Sequence, residues 1–187
     1  MTEFLFSKNE GEFQLTIDSI DKLCCINNSG LLLENKNRRE KEVLASSNMV
    51  KILYPNDEMA HNSHGAPTLS NNKAISLSHS KHYLACIVSE NTAAVDIAPI
   101  SRKAERVKNK FLNEQELALA VNNELTVLMW CAKECLFKIH QKGSLIFSKD
   151  LTVHSIDENK IKCSIFNQIY YLNYEKFYEH WLVYYFD

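Results

Sequence analysis

Apolar and polar residues alternate from Glu3 to Ile17, with Phe4 and Phe6, then Phe13, Leu15 and Ile17, on one side of an extended chain. With Gly11 between the two runs, the pattern predicts a β-hairpin. A short helix is predicted over Asp18 to Ile26. From Asn35 to Leu53 the chain starts charged, then places Val43, Leu44, Met49, Val50 and Leu53 at spacings that suit an amphipathic helix. Pro55 to Asn72 carries His61, His64, Gly65 and Pro67 and predicts a loop. Strands are predicted at Ala74 to His79, His82 to Val88 and Ala93 to Ile97, the last stopping at Pro99. Ser101 is placed to cap a helix running to about Lys110, and Asn113 followed by Glu116 predicts a capping box for another. The strongest helical signal runs from Leu125 to about Gln141, where Leu125, Leu128, Ala132, Cys135 and Ile139 form an apolar stripe. After Gly143 the chain returns to strand character at Leu151 to Ile156, Lys160 to Phe166, Ile169 to Leu172 and Trp181 to Phe186.

The order of these elements predicts an α+β protein of two halves, residues 1–92 and 93–187, each with strands and helices. Its 187 residues suffice for one fair-sized domain or two small ones sharing an interface. A formal net charge of −2 argues against a dedicated nucleic-acid binder. No apolar run approaches the roughly 20 residues needed to span a bilayer, and Met1 to Ser7 has neither the length nor the basic start of a secretory signal. The expectation is a cytoplasmic protein, monomeric, with no nucleic-acid or membrane partner. The cysteines at 24, 25, 86, 131, 135 and 163 show no CxxC spacing and read as reduced core thiols.

Trp130, Lys133, Glu134, Phe137 and Lys138 recur at i, i+3, i+4, i+7 and i+8 and share one side of the strong helix. A carboxylate flanked by two ammonium groups suits a divalent cation and phosphate oxygens. A solvated face with an i,i+4 Glu134–Lys138 pair explains the same spacing, although two large aromatics sit awkwardly in water. Asp96 lies in the apolar run Ala93-Ala94-Val95-Asp96-Ile97, where an ionised carboxylate is costly unless paired or bound to metal. Asp96 and Glu134 together would offer hard oxygen ligands of the kind magnesium takes. Ser78-His79-Ser80 closes an apolar strand and suits a phosphate or a bland turn equally. Lys36, Arg38, Arg39 and Lys41 form a basic cluster at a helix start, and Arg102, Arg106 and Lys110, widened by Lys103 and Lys108, form a second basic edge.

These segments, taken in order, resemble the 4'-phosphopantetheinyl transferase superfamily. The resemblance rests on Ala94-Val95-Asp96-Ile97, on Trp130-Cys131-Ala132-Lys133-Glu134-Cys135-Leu136-Phe137-Lys138, and on Ser78-His79-Ser80. The stretch Val107 to Glu116 resembles the family's Lys-Phe-Leu-Ser-x-x-Glu segment, and the match extends from about Arg38 to Gly143. The chain is similar in length to the compact end of the two-half, surfactin-synthetase-activating type. It departs from that type at Ala98, where a second acid is common, at Ala66 in place of the lysine of a Gly-Lys-Pro triplet, and at Ser47 in place of an arginine.

The resemblance implies a pseudo-twofold pair of α+β halves with the active site in the cleft between them. It implies transfer of the 4'-phosphopantetheine group from coenzyme A to a serine of an acidic acyl or peptidyl carrier protein, releasing adenosine 3',5'-bisphosphate. Ser78, His79, Ser80, Arg38 and Arg39 are the expected coenzyme contacts, His79 and Ser80 toward the 3'-phosphate. Asp96 and Glu134 are the expected Mg2+ ligands, Lys133 and Lys138 the expected phosphate neutralisers, and Glu134 the expected general base. Arg102, Arg106 and Lys110 are the expected carrier-docking residues. A non-catalytic member that grips a carrier protein or a nucleotide is the alternative.

Overall fold

The computed structural model describes residues 3–26 and 36–187. It has an α+β architecture in two compact units, Met1–Ala93 with Phe186–Asp187, and Ala94–Tyr185.

The first unit is built on an antiparallel sheet of β1 (Phe6–Asn9), β2 (Phe13–Ser19), β5 (Ala74–His79) and β6 (Tyr83–Ser89), in the order β1-β2-β6-β5. The alternation of Leu15 and Ile17 sets the register: they lie opposite Ile87 and Ala85 of β6, and all four are fully buried. Ser19 ends β2 and starts α1 (Ile20–Cys25), its hydroxyl accepting from the Lys22 N–H. Helix α2 (Arg38–Leu53) opens on a reciprocal capping box: Asn37 accepts from the Glu40 N–H, and the Glu40 carboxylate accepts from the Asn37 N–H. The expected start of that helix, Asn35, lies outside the described residues.

The buried face of α2 differs from the predicted one. Val43 is 55% exposed, while Glu42, Ser46 and Asn48 turn inward beside Ala45, Met49 and Val50. Hydrogen bonds make that possible. Asn48 donates to the carbonyls of Leu23 and Ile26, and Ser46 donates to the carbonyl of Glu42. The expected loop 55–72 contains a short hairpin, β3 (Met59–His61) with β4 (Pro67–Leu69), turned by Gly65 at φ +81°.

The second unit holds a five-stranded sheet in the order β7-β11-β10-β9-β8, from β7 (Ala93–Pro99), β8 (Leu151–Ile156), β9 (Lys160–Ile165), β10 (Gln168–Phe177) and β11 (His180–Phe186). Helices α3 (Arg102–Val107), α4 (Glu114–Leu119), α5 (Asn123–His140) and α6 (Phe147–Asp150) complete it. The predicted helix to Lys110 breaks instead at Val107 into a 3-10 turn over Lys108–Lys110, and the Ser101 side chain makes no capping hydrogen bond. Helix α5 starts two residues before its first apolar position because the Asn122 side chain accepts from the Leu125 N–H. It ends where Gln141 turns left-handed at φ 55°. Leu128, Ala132, Cys135 and Leu136 pack into one core with Leu151, Val153, Ile161, Cys163, Leu172 and Val183. Leu128 and Leu136 each contribute about 2 kcal/mol by leaving water. All six cysteines are free; five are buried, and Cys25 is exposed. Among the described residues no helix is long and apolar enough to cross a membrane.

Candidate active site

Helix α5 carries chemistry on two different faces. One face looks at β7. There Lys138 donates to the Asp96 carboxylate at 2.8 Å and to the Val95 carbonyl at 2.6 Å. The Cys131 thiol hydrogen-bonds the same carboxylate, and its pKa rises well above the ordinary value through burial and the Asp96 charge. Glu134 lies between these two residues along the helix. Burial first, and the Asp96 charge second, push its carboxyl up to about 7, against the pull of Lys138. Cys131, Glu134 and Lys138, at i, i+3 and i+7, therefore all address Asp96, which is 7% exposed. Two carboxylates share one patch with a single ammonium beside them.

Lys133 lies on another face, and here the expected phosphate contact is corrected. The side chain is fully buried. Its ammonium donates to Glu116 Oε2 at 2.7 Å and to the carbonyls of Phe111, Phe147 and Leu151, each at 2.8 Å. Three N–H groups already serve four acceptors, so no proton is left for a phosphate. Glu116 is also fully buried; its other oxygen accepts from the Val153 N–H at 2.7 Å, while Oε2 caps the Asn113 N–H at 2.8 Å. Burial draws the Lys133 pKa down, and the Glu116 partner opposes it.

The two aromatics of the motif are core rather than ligand platform. Trp130 stands edge-on to Phe111 at 5.0 Å and near Phe147 at 5.8 Å; Phe137 meets Phe147 at 5.7 Å. The expected single solvated or ligand-facing side of α5 thus divides into an ionic face toward β7, a buried ion pair and an aromatic cluster.

In the first unit the Ser-His-Ser turn is also divided. Ser80 is 3% exposed, and its hydroxyl accepts from the N–H groups of His82 and Tyr83 while its own N–H donates to the Tyr83 carbonyl. It shapes the turn. Ser78 is 6% exposed, inside β5. His79 alone is half-buried, with Nε2 2.9 Å from Ser46 Oγ. Arg38 and Arg39 both lean on Glu42, at 2.7 and 3.9 Å, from exposed positions at the start of α2. A groove lined by Gln14, Tyr54, Lys73, Ser89 and Glu90 opens at the end of β5 and β6 opposite His79 and holds none of the expected site residues.

Arg102, Arg106 and Lys110 are exposed. The break at Val107 interrupts the regular i, i+4, i+8 edge, and Lys108 is neutralised by Glu105 at 2.6 Å. Glu105 also accepts from the Thr126 hydroxyl, tying α3 to α5, and these two partners hold its pKa below the ordinary range.

Sequence reasoning missed Glu116, Cys131 and Ser46 as site neighbours. The capping box accounts for Glu116 in the sequence and hides its second role. Cys131 and Ser46 look like any small residue on a helix.

Among the described residues no cluster of three or more His, Cys, Asp or Glu could hold a metal. The donor set available to an implied divalent cation is the pair Asp96 and Glu134. It fits: both donors are hard oxygens, burial and then the neighbouring Asp96 charge disfavour an ionised Glu134 on its own, and magnesium takes one or two carboxylates while substrate phosphates and waters complete its shell.

The description "4'-phosphopantetheinyl transferase superfamily" belongs to a family model that matches residues 93–184, the part containing Asp96, Lys133, Glu134 and Lys138. The chain is also similar to a protein of Aneurinibacillus migulanus named 4'-phosphopantetheinyl transferase gsp, with 25% identity over 136 residues. That alignment covers 68% of this chain and 56% of the relative, so the chain spans a little over half of that protein's length. With the motif residues converging on Asp96 and the family match running through them, residues 93–184 of the chain are similar to the 4'-phosphopantetheinyl transferase superfamily.

Proposed function

We propose that the protein transfers the 4'-phosphopantetheine group of coenzyme A to a serine hydroxyl of an acidic carrier protein. The observation that carries this reading is the Asp96–Glu134–Lys138 patch, where two carboxylates and an ammonium meet on the segment that matches the family. Asp96 and Glu134 would hold Mg2+, and the bound cation supplies positive charge to the pyrophosphate. Lys138 is the chain's own cation for the phosphate oxygens, and His79 the contact for the 3'-phosphate, on a turn held by Ser80. Arg38 and Arg39 add accessible positive charge for the coenzyme. Lys133 is removed from this list by its four protein acceptors.

The carrier serine oxygen attacks the β-phosphorus, the bond to the bridging oxygen breaks, and adenosine 3',5'-bisphosphate leaves with the electron pair. The serine proton goes to Glu134. Burial and the neighbouring Asp96 charge raise the basicity of Glu134 in the metal-free protein, the direction that a general base needs. The leaving group is a good one, so positioning and charge stabilisation supply most of the catalysis. Arg102, Arg106 and Lys110 present positive charge to the acidic carrier. The protein works in the cytoplasm as a monomer.

Incubation with coenzyme A, Mg2+ and an apo-carrier protein tests this directly. Intact-mass analysis of the carrier should show the gain of one phosphopantetheine group. Coenzyme A binding without any mass gain would replace this reading with a non-catalytic binding module, to which Ala98 and Ala66 already lean.

A further inference from the structure

We infer that Glu116 and Lys133 form a positioning pair that sets the rotation of α5 and thereby aims Glu134 at Asp96; the inference rests on the function proposed above.

Lys133 immediately precedes Glu134, and successive residues on an α-helix are about 100° apart around its axis. Wherever Lys133 is anchored, the azimuth of Glu134 follows. That anchor is unusually well defined. The ammonium is held by the loop at Phe111, by Glu116 on α4, by Phe147 on α6 and by Leu151 at the start of β8. Glu116 is in turn held by the Val153 N–H and the Asn113 N–H. Four segments around α5 therefore agree on one place for one nitrogen.

Stability alone does not explain this arrangement. Replacing a buried ion pair by apolar groups of similar volume is often neutral or stabilising, because two charges must otherwise be stripped of water. What an apolar side chain lacks is direction. Leucine or methionine at 133 would fill the space but tolerate rotation of α5, and would leave the carbonyls of Phe111, Phe147 and Leu151 without their shared donor. The ion pair acts at one remove from the chemistry, through the helix that carries Glu134.

The test uses Glu116→Asp, which keeps the charge but draws the anchor back by one methylene, and the double variant Glu116→Gln/Lys133→Met, which removes both charges together. Circular dichroism gives the folded fraction, electron paramagnetic resonance gives Mn2+ affinity without coenzyme A, and turnover is measured at saturating substrates. In folded protein, each variant should lose ~10–100-fold in kcat and ~10-fold in Mn2+ affinity, the scale expected when a supporting residue shifts a ligand by about 1 Å. Folded variants with wild-type kcat and wild-type Mn2+ affinity would make the pair purely architectural and overturn the inference. Failure of both variants to fold would overturn it too, by making the pair a folding requirement. Wild-type protein that neither modifies a carrier nor binds Mn2+ would instead sink the functional reading, and this inference with it.

Discussion

Lys138 on α5 lies 2.8 Å from the Asp96 carboxylate on β7 and 2.6 Å from the Val95 carbonyl one residue earlier. This contact joins a residue expected to bind metal to one expected to bind phosphate. In the protein alone the ammonium neutralises the carboxylate of a strand whose other side chains, Ala94, Val95 and Ile97, are apolar and buried.

Removing that ammonium should therefore cost stability as well as function. Lys138→Met leaves Asp96, whose side chain is only 10% exposed, without its charged partner. A loss of about 1–3 kcal/mol is expected, less than for a fully buried pair because Lys138 itself reaches water. Urea unfolding checks it. Asp96→Asn added to Lys138→Met should recover part of the loss, since the Asp96 charge that Lys138 neutralises is then gone. A double variant no more stable than Lys138→Met would contradict the account.

Glu134 makes the metal-free protein sensitive to pH. Its folded pKa is about 7, above the ordinary value of 4.5, so the folded state holds a proton that the unfolded state has released between those pH values. Stability should therefore fall as pH rises from about 5 to 8, by up to ~3 kcal/mol at the upper end. Glu134→Gln should flatten this slope, and Mg2+ at pH 8 should restore stability in wild type but not in the variant. Thermal melts at three pH values suffice, and a wild-type slope unchanged by Glu134→Gln would remove Glu134 as its source.

Ser46 should matter to coenzyme recognition through His79. The Ser46 hydroxyl gives its single proton to the Glu42 carbonyl at 2.8 Å, so it accepts from His79 Nε2–H at 2.9 Å. That bond sets the ring orientation. Calorimetry on Ser46→Ala should show ~3–10-fold weaker binding of coenzyme A, the worth of about one hydrogen bond. Dephospho-coenzyme A, which lacks the 3'-phosphate, should bind almost as before. Equal losses for the two ligands would take His79 out of the phosphate role.

The exposed arginines of α3 give a partner-specific prediction. Arg102→Glu with Arg106→Glu should raise the KM for an acidic carrier, leave the KM for coenzyme A nearly unchanged and flatten the salt dependence of the rate. Exposed charges of this kind steer encounter over a Debye length of about 8 Å at physiological ionic strength. Steady-state kinetics at two salt concentrations decide it; unchanged carrier kinetics would mean that docking occurs elsewhere.

The sequence by itself determined the elements whose signals are local. Helix α5, the hairpin of β1 and β2, the capping box at Asn113 and Glu116, and the strands after Gly143 were legible because periodicity and caps act over a few residues. It also carried the resemblance to the superfamily that residues 93–184 match, since motif order and spacing are linear properties. What tertiary structure decided was the direction of each polar side chain. Lys133 and Lys138 sit five residues apart in one motif, yet the first is locked into the core by Glu116, 17 positions earlier, and the second reaches Asp96, 42 positions earlier. Helical spacing alone grouped them on one face because it cannot register which distant oxygens lie within reach of a long, flexible side chain. The same reason covers α2, where Ser46 and Asn48 turn inward and Val43 outward: hydropathy ranks side chains by their affinity for water, whereas the partners waiting inside, the His79 ring and the carbonyls of Leu23 and Ile26, are supplied by other parts of the chain.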